Sequence, residues 1–185
     1  MLSANTSSEG NKAGLTDTKK GKIFGWQLKE VCEKKQEAFK SHTIPGTIEA
    51  EDFDLGCPGD AYYDENEINE GGEYRSKTGV DIEKSSLGGY NVGWTHAGEW
   101  MEYTVSIKKP ATYQISFYLA STSENGKFHL ECDGKNKTGA ISVPNTAGYQ
   151  NWDSVRKQVK LDAGEHVLKL VIDNEGFNLD KMVFE

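Results

Sequence analysis

"WMEYTVSIKKPATYQISFYLA" (residues 100–120) is the stretch that decides the fold of this chain. Every second residue of its first half is apolar: Met101, Tyr103, Val105 and Ile107. The same alternation resumes after Pro110. Because successive side chains of a strand point to opposite faces, this period of two predicts two β-strands, each with one buried face.

The alternation recurs along the chain from residue 44 onward. It is seen in "KFHLECD" (127–133), "SVRKQVKL" (154–161), "EHVLKLVI" (165–172) and "NLDKMVF" (178–184), with turn sequences such as "CDGKN" and "DAGEH" between the runs. Many short strands without intervening helices are typical of an antiparallel sandwich or barrel. We therefore predict an all-β domain over residues 44–185.

Residues 1–43 have a different character. They carry eight lysines and five acids, a net charge of +3, whereas the remaining residues carry −11. The first twenty residues are rich in Ser, Thr, Gly and Lys and predict a flexible segment. Apolar residues at helical spacing then predict an amphipathic helix near residues 25–40, ended by the turn before Pro45. We interpret residues 1–43 as a linker or as the remnant of a preceding domain.

The overall charge limits the classes of partner. The chain of 185 residues has a net charge of −8. Nucleic acids and anionic membrane surfaces attract positive patches, so neither is an expected partner. No apolar run is long enough to span a bilayer. No signal peptide is visible in the first residues, and for a secreted protein we expect one upstream in the parent protein.

The three cysteines do not predict a metal site. Cys32, Cys57 and Cys132 form no CxxC pair, and no histidine cluster accompanies them, so a zinc site is not expected. Cys132 alternates in phase with Phe128 and Leu130, which favours a small buried hydrophobic role. The sequence leaves open whether Cys57 and Cys132 form a disulfide.

Paired acids raise the question of an enzyme or of a metal. Glu49 and Glu51 lie two apart in "IEAEDFD" (48–54), so on a strand they would share a face and repel one another. A glycosidase would use two carboxyl groups across a cleft, and Ca²⁺ would use carboxylate and carbonyl oxygens. Ordinary solvated acids on an exposed strand are the third interpretation.

Aromatic and amide residues at loop positions point to a ligand site. Tyr74 follows "NEGGE", Tyr149 lies in "NTAGYQNWDSV" (145–155), which we interpret as a loop, and Asn178 precedes the last strand. Loops of a sandwich cluster at its two ends, where residues distant in sequence can converge. Aromatic faces stack on the C–H faces of sugars and amides bond their hydroxyls, so a carbohydrate is the expected ligand.

These motifs together resemble a known family. "IPGTIEAEDFD", "AYYDENEINEGGEYR", "GVDIE", "GGYNVGWTHAGEWMEYTV", "SVPNTAGYQNWDSV" and "FNLDKMVF" follow one another in the order seen in the family 6 carbohydrate-binding modules. The resemblance covers about residues 44–185. It implies a β-sandwich of the jelly-roll type that contains calcium and is appended to a secreted microbial polysaccharide-degrading enzyme.

The resemblance also implies particular site residues. Tyr74 and Tyr149 would clamp a sugar ring and Asn178 would bond its hydroxyls, with Tyr149 standing where the family commonly has Trp. Trp152 would support the loop from inside. The structural calcium would be held by residues at the first and last strands: Glu49, Glu51 and Asp180. A second sugar site on the concave face would use Trp94 or Trp100 with Glu102.

The expected function is therefore a non-catalytic, monomeric module. It would bind plant or algal polysaccharide of the xylan or β-glucan type and target an attached glycoside hydrolase to it outside the cell. Two alternatives remain: a glycoside hydrolase in its own right, and a sandwich for protein–protein interaction with Tyr74 and Tyr149 as anchor residues.

Overall fold

The computed structural model describes residues 22–23, 26–27, 32 and 35–185. The chain divides into two compact units, Met1–Glu33 and Lys34–Glu185. The first unit contains a short antiparallel pair of strands, and the second contains all other elements described below. No helix in the described part of the chain is long and apolar enough to cross a membrane.

Apart from one 3₁₀ turn at Ala50–Asp52, every regular element among the described residues is a strand. In chain order the strands are β1 (Lys22–Ile23), β2 (Trp26–Gln27), β3 (His42–Ile44), β4 (Gly46–Glu49), β5 (Tyr62–Tyr63), β6 (Ile82–Lys84), β7 (Tyr90–Val92), β8 (Trp100–Ile107), β9 (Ala111–Ser121), β10 (Lys127–Cys132), β11 (Lys135–Asn136), β12 (Ile141–Ser142), β13 (Gly148–Leu161), β14 (Gly164–Asn174) and β15 (Asn178–Phe184).

Two sheets make up the second unit. One has the order β11-β10-β14-β8-β3, with β12 beside β10 and β5 beside β8. The other has the order β13-β9-β15-β7-β6, with β4 beside β15. Apart from the parallel pairing of β3 with β8, the neighbouring strands of both sheets are antiparallel. The predicted all-β sandwich is thus confirmed.

The core lies between the two sheets. The four apolar residues of β8 that alternate in sequence are all buried, as the period of two predicts. The two strands of the opening stretch, β8 and β9, lie in different sheets and face the core from opposite sides. Phe117 of β9 meets Phe128 of β10 edge to face at a centroid distance of 5.0 Å, which joins the two layers.

The helix predicted near residues 25–40 is not formed where the structure describes it. Trp26–Gln27 is a strand paired with Lys22–Ile23, and residues 35–40 are extended or bent. Glu37 exchanges two backbone hydrogen bonds with Leu55, of 2.9 and 2.8 Å. Pairing with a distant segment has therefore outweighed the local helical pattern. Cys32 has no regular secondary structure, and the other residues of the predicted helix below 35 lie outside the described residues.

The pairing of Glu37 also places the boundary between the two units earlier than the sequence suggests. The second unit begins at Lys34 instead of residue 44.

The structure answers the question of a disulfide between Cys57 and Cys132. Cys132 is a free, buried thiol, while Cys57 belongs to a disulfide. Cys57 and Cys132 are therefore not bonded to one another.

Candidate functional site

A cleft of about 420 Å³ opens where the loops after β7 and β14 meet the first residues of β13 and β15. Predicted residues Tyr149 and Asn178 line it, and Tyr74 does not. The complete lining is Glu83, Trp94, Thr95, His96, Tyr149, Glu175, Gly176, Phe177 and Asn178.

Trp94 is the aromatic residue that joins Tyr149 in this cleft. Its backbone is left-handed, with φ of 46°, a conformation that costs a bulky side chain energy and is often found at functional sites. Thr95 fixes the turn, because its Oγ1 donates to the carbonyl of Phe177 at 2.8 Å and accepts from the Phe177 amide at 3.2 Å. The Trp94 side chain is consequently held outward and is 46% exposed.

Tyr149 is presented by an irregularity in a strand. The segment that we predicted to be a loop belongs largely to β13, which begins at Gly148. Gly148 pairs with Ser121 and Asp153 pairs with Leu119, so β13 advances five residues while β9 advances two. The extra residues, Tyr149 among them, have no ladder partners in β9 and project from the sheet. Tyr149 is 45% exposed.

Asn178 and Glu83 form the polar floor of the cleft. Asn178 Nδ2 donates to Glu83 Oε1 at 2.8 Å and to the Tyr149 carbonyl at 2.9 Å, and Gln150 Nε2 also donates to Glu83 Oε1. This network fixes both side chains. Within the described residues, Glu83 Oε2 and Asn178 Oδ1 accept no hydrogen bond. Neither oxygen is among the buried side-chain atoms that lack a hydrogen-bond partner. Both are therefore acceptors available to a ligand.

Trp152 supports the projecting residues from behind. It is half-buried, and its Nε1 donates to Ser86 Oγ at 3.0 Å. Ser86 in turn donates its hydroxyl to the Gln150 carbonyl at 2.9 Å and its amide to Gln150 Oε1 at 2.8 Å. These bonds connect the residues around Tyr149 to the segment after β6.

The charges around the cleft are mostly acidic. Glu83 and Glu175 line it, and His96 Nδ1 lies 3.6 Å from Glu175 Oε2 and 3.5 Å from Glu65 Oε2. An arrangement of two aromatic faces, fixed acceptors and an acidic rim suits a neutral ligand with C–H faces and hydroxyl groups.

Tyr74 lies in a different cluster, which we call the Tyr74 brace and define as Phe39, Lys40, Asp52, Tyr74 and Arg75. The Tyr74 hydroxyl donates to Asp52 Oδ1 at 2.8 Å, and Lys40 Nζ lies 2.9 Å from Asp52 Oδ2. Arg75 is buried and donates to main-chain carbonyls of residues 51, 53 and 54. The brace therefore holds the 3₁₀ turn that follows β4.

The ring of Tyr74 is also occupied. It stacks on Tyr90 at a centroid distance of 4.7 Å and meets Phe39 edge-on at 6.0 Å. The predicted clamp of Tyr74 and Tyr149 is thus not formed, since only Tyr149 lines the cleft. Sequence reasoning chose Tyr74 by its motif, whereas the left-handed position that presents Trp94 is visible only in the fold.

The second predicted sugar site is also divided. Trp94 lines the cleft already described, whereas Trp100 and Glu102 do not. Trp100 and Glu102 share the face of β8 that is turned from the core, where Lys169 Nζ lies 3.3 Å from the Trp100 ring centroid and 3.3 Å from Glu102 Oε1. Lys169 therefore covers the ring of Trp100.

The predicted calcium ligands lie where the first and last strands of the second sheet meet. Glu49 ends β4 opposite Lys181 of β15, and Glu51 lies in the 3₁₀ turn, not on the same strand as predicted. Glu51 Oε2 and Asp180 Oδ2 are buried without a hydrogen-bond donor of normal geometry, although Lys181 Nζ lies 3.1 Å from the latter. Carboxylate oxygens that lack hydrogen bonds are suitable ligands for a hard cation such as Ca²⁺.

The electrostatics of these acids agree with that chemistry. Burial raises the pKa of Glu51 to about 8, and the neighbouring charges of Asp52, Glu49 and Asp180 add to the shift. Burial also raises the pKa of Glu49, against the opposing effect of Lys181. The carboxylate oxygens of Glu49, Glu51 and Asp180 do not all lie within 4.8 Å of one another. Among the described residues, the side chains that meet this criterion lie elsewhere in the fold.

Comparison with known proteins places the chain in a family. The family model described as "Carbohydrate binding module (family 6)" matches residues 70–185. The clotting factor G alpha subunit of Tachypleus tridentatus is 29% identical over 111 residues, which is 58% of this chain but 16% of that protein. The chain thus spans only a small part of that relative's length.

Solved structures give the same result. The C-terminal family 6 module of LamC, a marine laminarinase from Zobellia galactanivorans, is 30% identical with a TM-score of 0.57, and the match covers 74% of this chain and 94% of that one. A module of Cellvibrio mixtus lichenase 5A, solved with cellotriose, is 27% identical with a TM-score of 0.59, covering 77% and 97%. The chain belongs to the family 6 carbohydrate-binding modules.

Proposed function

We propose that this module binds a neutral polysaccharide of the β-glucan type in the cleft of Trp94 and Tyr149. One observation carries the proposal: two exposed aromatic rings without aromatic or cationic partners in the described structure border the unpaired acceptors Glu83 Oε2 and Asn178 Oδ1. The rings can stack on a pyranose while the acceptors take hydrogen bonds from its hydroxyls.

The relatives support β-glucan over xylan. The module that is 30% identical belongs to a laminarinase, and the module that is 27% identical was solved with cellotriose. Cellotriose is an oligosaccharide of glucose, and a laminarinase is named for its β-glucan substrate. The structure solved with xylose, from Clostridium cellulolyticum, is only 20% identical and supports the fold alone.

The charge of the cleft supports a neutral ligand. Glu83 and Glu175 line it and would repel the carboxylates of a uronic acid polymer. We also propose that the module binds as a monomer. Attached to a secreted glycoside hydrolase, such a module would raise the concentration of the enzyme at its substrate by tethering.

Affinity electrophoresis and calorimetry against soluble polysaccharides test this function. We expect retardation by laminarin or barley β-glucan and none by alginate. Trp94→Ala should strongly reduce the retardation, whereas the matched control Trp100→Ala should retain it because Lys169 already covers that ring. Binding to xylan alone would overturn the β-glucan assignment, and release of reducing sugar by the purified chain would favour the hydrolase alternative.

We also propose that Glu49, Glu51 and Asp180 hold a structural Ca²⁺. Glu51 Oε2 is buried without a hydrogen-bond donor, Asp180 Oδ2 is buried with only Lys181 Nζ nearby at 3.1 Å, and the pKa of Glu51 is raised, all of which support this ligand set. The ion would add to the positive charge of Lys181 and would link β4 to β15. Its role would be structural because none of the three residues lines the cleft.

A further inference from the structure

A second group of side chains lies at the end of the sandwich remote from the cleft. Cys132 ends β10, Asp133 begins the following turn, and His166 is near the start of β14. The cleft residues Glu175 and Gly176 follow the other end of β14. At about 3.4 Å per residue, the strand separates the two sites by roughly 30 Å.

The three side chains converge closely. A Cys132 sulfur, an Asp133 carboxylate oxygen and a His166 ring nitrogen all lie within 4.8 Å of one another. His166 Nδ1 is 2.6 Å from Asp133 Oδ2, and the other carboxylate oxygen accepts from the Val167 amide at 3.0 Å. Asp133 is left-handed, with φ of 50°, and its own amide donates to the Val167 carbonyl. The fold therefore fixes the Asp133 carboxylate between Cys132 at the end of β10 and His166 in β14.

Two atoms of the group lack strong hydrogen bonds. Cys132 is a free thiol and is 5% exposed. His166 Nε2 is buried without a hydrogen bond of normal geometry, although the Ala163 backbone also contacts the His166 ring. A buried ring nitrogen without a well-formed hydrogen bond costs free energy unless something occupies its lone pair or accepts its proton.

We propose that Cys132, Asp133 and His166 form a binding site for a zinc-type divalent metal ion. Sulfur and imidazole ligands are typical of Zn²⁺ and its analogues, and they are not the oxygen ligands that Ca²⁺ requires. Three protein ligands leave one position of a tetrahedral ion for water. This site would be independent of the carbohydrate cleft and of Glu49, Glu51 and Asp180.

His129 offers a comparison with His166, because it is similarly buried and lies beside carboxylates but has no thiol ligand next to it. His129 of β10 has a side chain that is 15% exposed, against 17% for His166. Its Nδ1 is 2.9 Å from Asp173 and its Nε2 is 3.4 Å from Glu131. Both ring nitrogens of His129 thus have carboxylate partners, and no sulfur ligand completes the group. His129 is an internal control for a site that depends on Cys132.

Metal binding at this site would release protons. Burial raises the pKa of the Cys132 thiol, with Asp133 and Asp162 contributing, and the ion pair with Asp133 raises the pKa of His166. The thiol and any protonated imidazole must lose their protons before they can ligate. Lys137, the one nearby cation that acts on the thiol, opposes part of the shift. Affinity should consequently weaken as the pH falls.

Sequence spacing concealed the group. Asp133 and His166 are 33 positions apart, and neither belongs to a pattern of metal ligands. Antiparallel pairing brings them together, because Cys132 lies opposite Leu168 in the register of β10 and β14.

Titration of the full chain with Co²⁺, after saturation with Ca²⁺, tests the proposal. A thiolate-to-cobalt charge-transfer band should appear in the near ultraviolet and disappear when Zn²⁺ is added. Cys132→Ser and His166→Gln should abolish the band. Asp133→Asn should weaken Co²⁺ binding by at least the ~10- to 100-fold that is typical for loss of a residue that only supports a metal ligand. His129→Gln should leave the band and the affinity unchanged.

Two results of the Co²⁺ titration would contradict the proposed metal site. Absence of the band in the unmodified chain, or its survival in Cys132→Ser, would overturn the site. Should Cys132→Ser fail to fold, the substitutions at Asp133 and His166 still decide the matter, because Asp133 is exposed and His166 lies at the start of its strand. Thermal melting of each variant verifies folding, and retention of polysaccharide binding in all of them keeps this test separate from that of the cleft.

Discussion

The cleft and the Tyr74 brace contain tyrosines of similar exposure that differ in their partners. Tyr149 is 45% exposed and Tyr74 is 38% exposed. The ring of Tyr149 has no aromatic partner within the described residues, whereas Tyr74 stacks on Tyr90 and bonds Asp52. An exposed aromatic residue is therefore a candidate for ligand binding only when its face and its polar atoms are unoccupied.

The two regions also differ in what their polar groups do. In the cleft, Asn178 and Glu83 fix one another and still leave acceptors unpaired. In the brace, Asp52 takes both a hydroxyl and an ammonium group, and Arg75 donates to main-chain carbonyls while its guanidinium lies over the Phe39 and Phe53 rings. The first region is arranged to bind and the second to hold the turn beside the proposed calcium ligands.

Removal of the cleft rings should have the largest effect. Tyr149→Ala or Trp94→Ala should each weaken polysaccharide binding by about 5- to 150-fold, because a nucleic-acid base stacked on an aromatic ring contributes about 1–3 kcal/mol and we expect a stacked sugar to contribute a similar amount. The double substitution should abolish measurable binding. Calorimetry measures the affinities, and the melting temperatures should change little since both rings are exposed.

Tyr74→Ala provides the matched control for the comparison. It should reduce stability and leave the affinity within twofold of the original. Equal losses of affinity from Tyr74→Ala and Tyr149→Ala would show that the brace takes part in binding and would break the distinction between the two regions.

Removal of Ca²⁺ by a chelator should lower the stability of the fold near the Tyr74 brace and leave polysaccharide binding in the cleft unchanged. A ligand at 100 times its Kd stabilises a folded protein by about 2.7 kcal/mol. For a chain of this size that corresponds to a fall in melting temperature of about 5–10 °C when EDTA removes Ca²⁺. Scanning calorimetry with and without Ca²⁺ measures it, and an unchanged melting temperature would contradict the calcium proposal.

The pH dependence of the metal-free chain sharpens this expectation. Burial raises the pKa of Glu51 from its ordinary 4.5 to about 8. Between these values the folded state binds more protons than the unfolded state, so the free energy of unfolding falls as the pH rises. With EDTA present, the melting temperature should therefore decrease from pH 5 to pH 8, and Ca²⁺ or Glu51→Gln should reduce that decrease. A rise over the same range would refute the assignment to Glu51.

Tyr74→Phe should give the smallest effect. It removes only the hydroxyl that donates to Asp52, and Lys40 remains as a partner of that carboxylate. A single hydrogen bond contributes about 1 kcal/mol, or about 2–4 °C in melting temperature. Denaturant unfolding measures the loss, and unaltered polysaccharide binding would sharpen the contrast with Tyr149.

Much of this molecule follows from its sequence. The alternation in residues 100–120 predicts strands with one buried face because the side-chain period of a strand is two. The ordered motifs predict the family, and Tyr149 and Asn178 do line one cleft. The roles of these two residues and of the calcium ligands stay predictions until binding is measured.

Only the tertiary structure decided which residues from distant segments meet. Trp94 faces the cleft because its backbone is left-handed and Thr95 is bonded to Phe177, and neither fact has a local pattern. Residues 35–40 are not helical because Glu37 pairs with Leu55. Cys132 and His166 converge because strand register joins them. Local sequence determines which face of a strand is buried, whereas contacts between segments are chosen by the free energy of the whole packed domain.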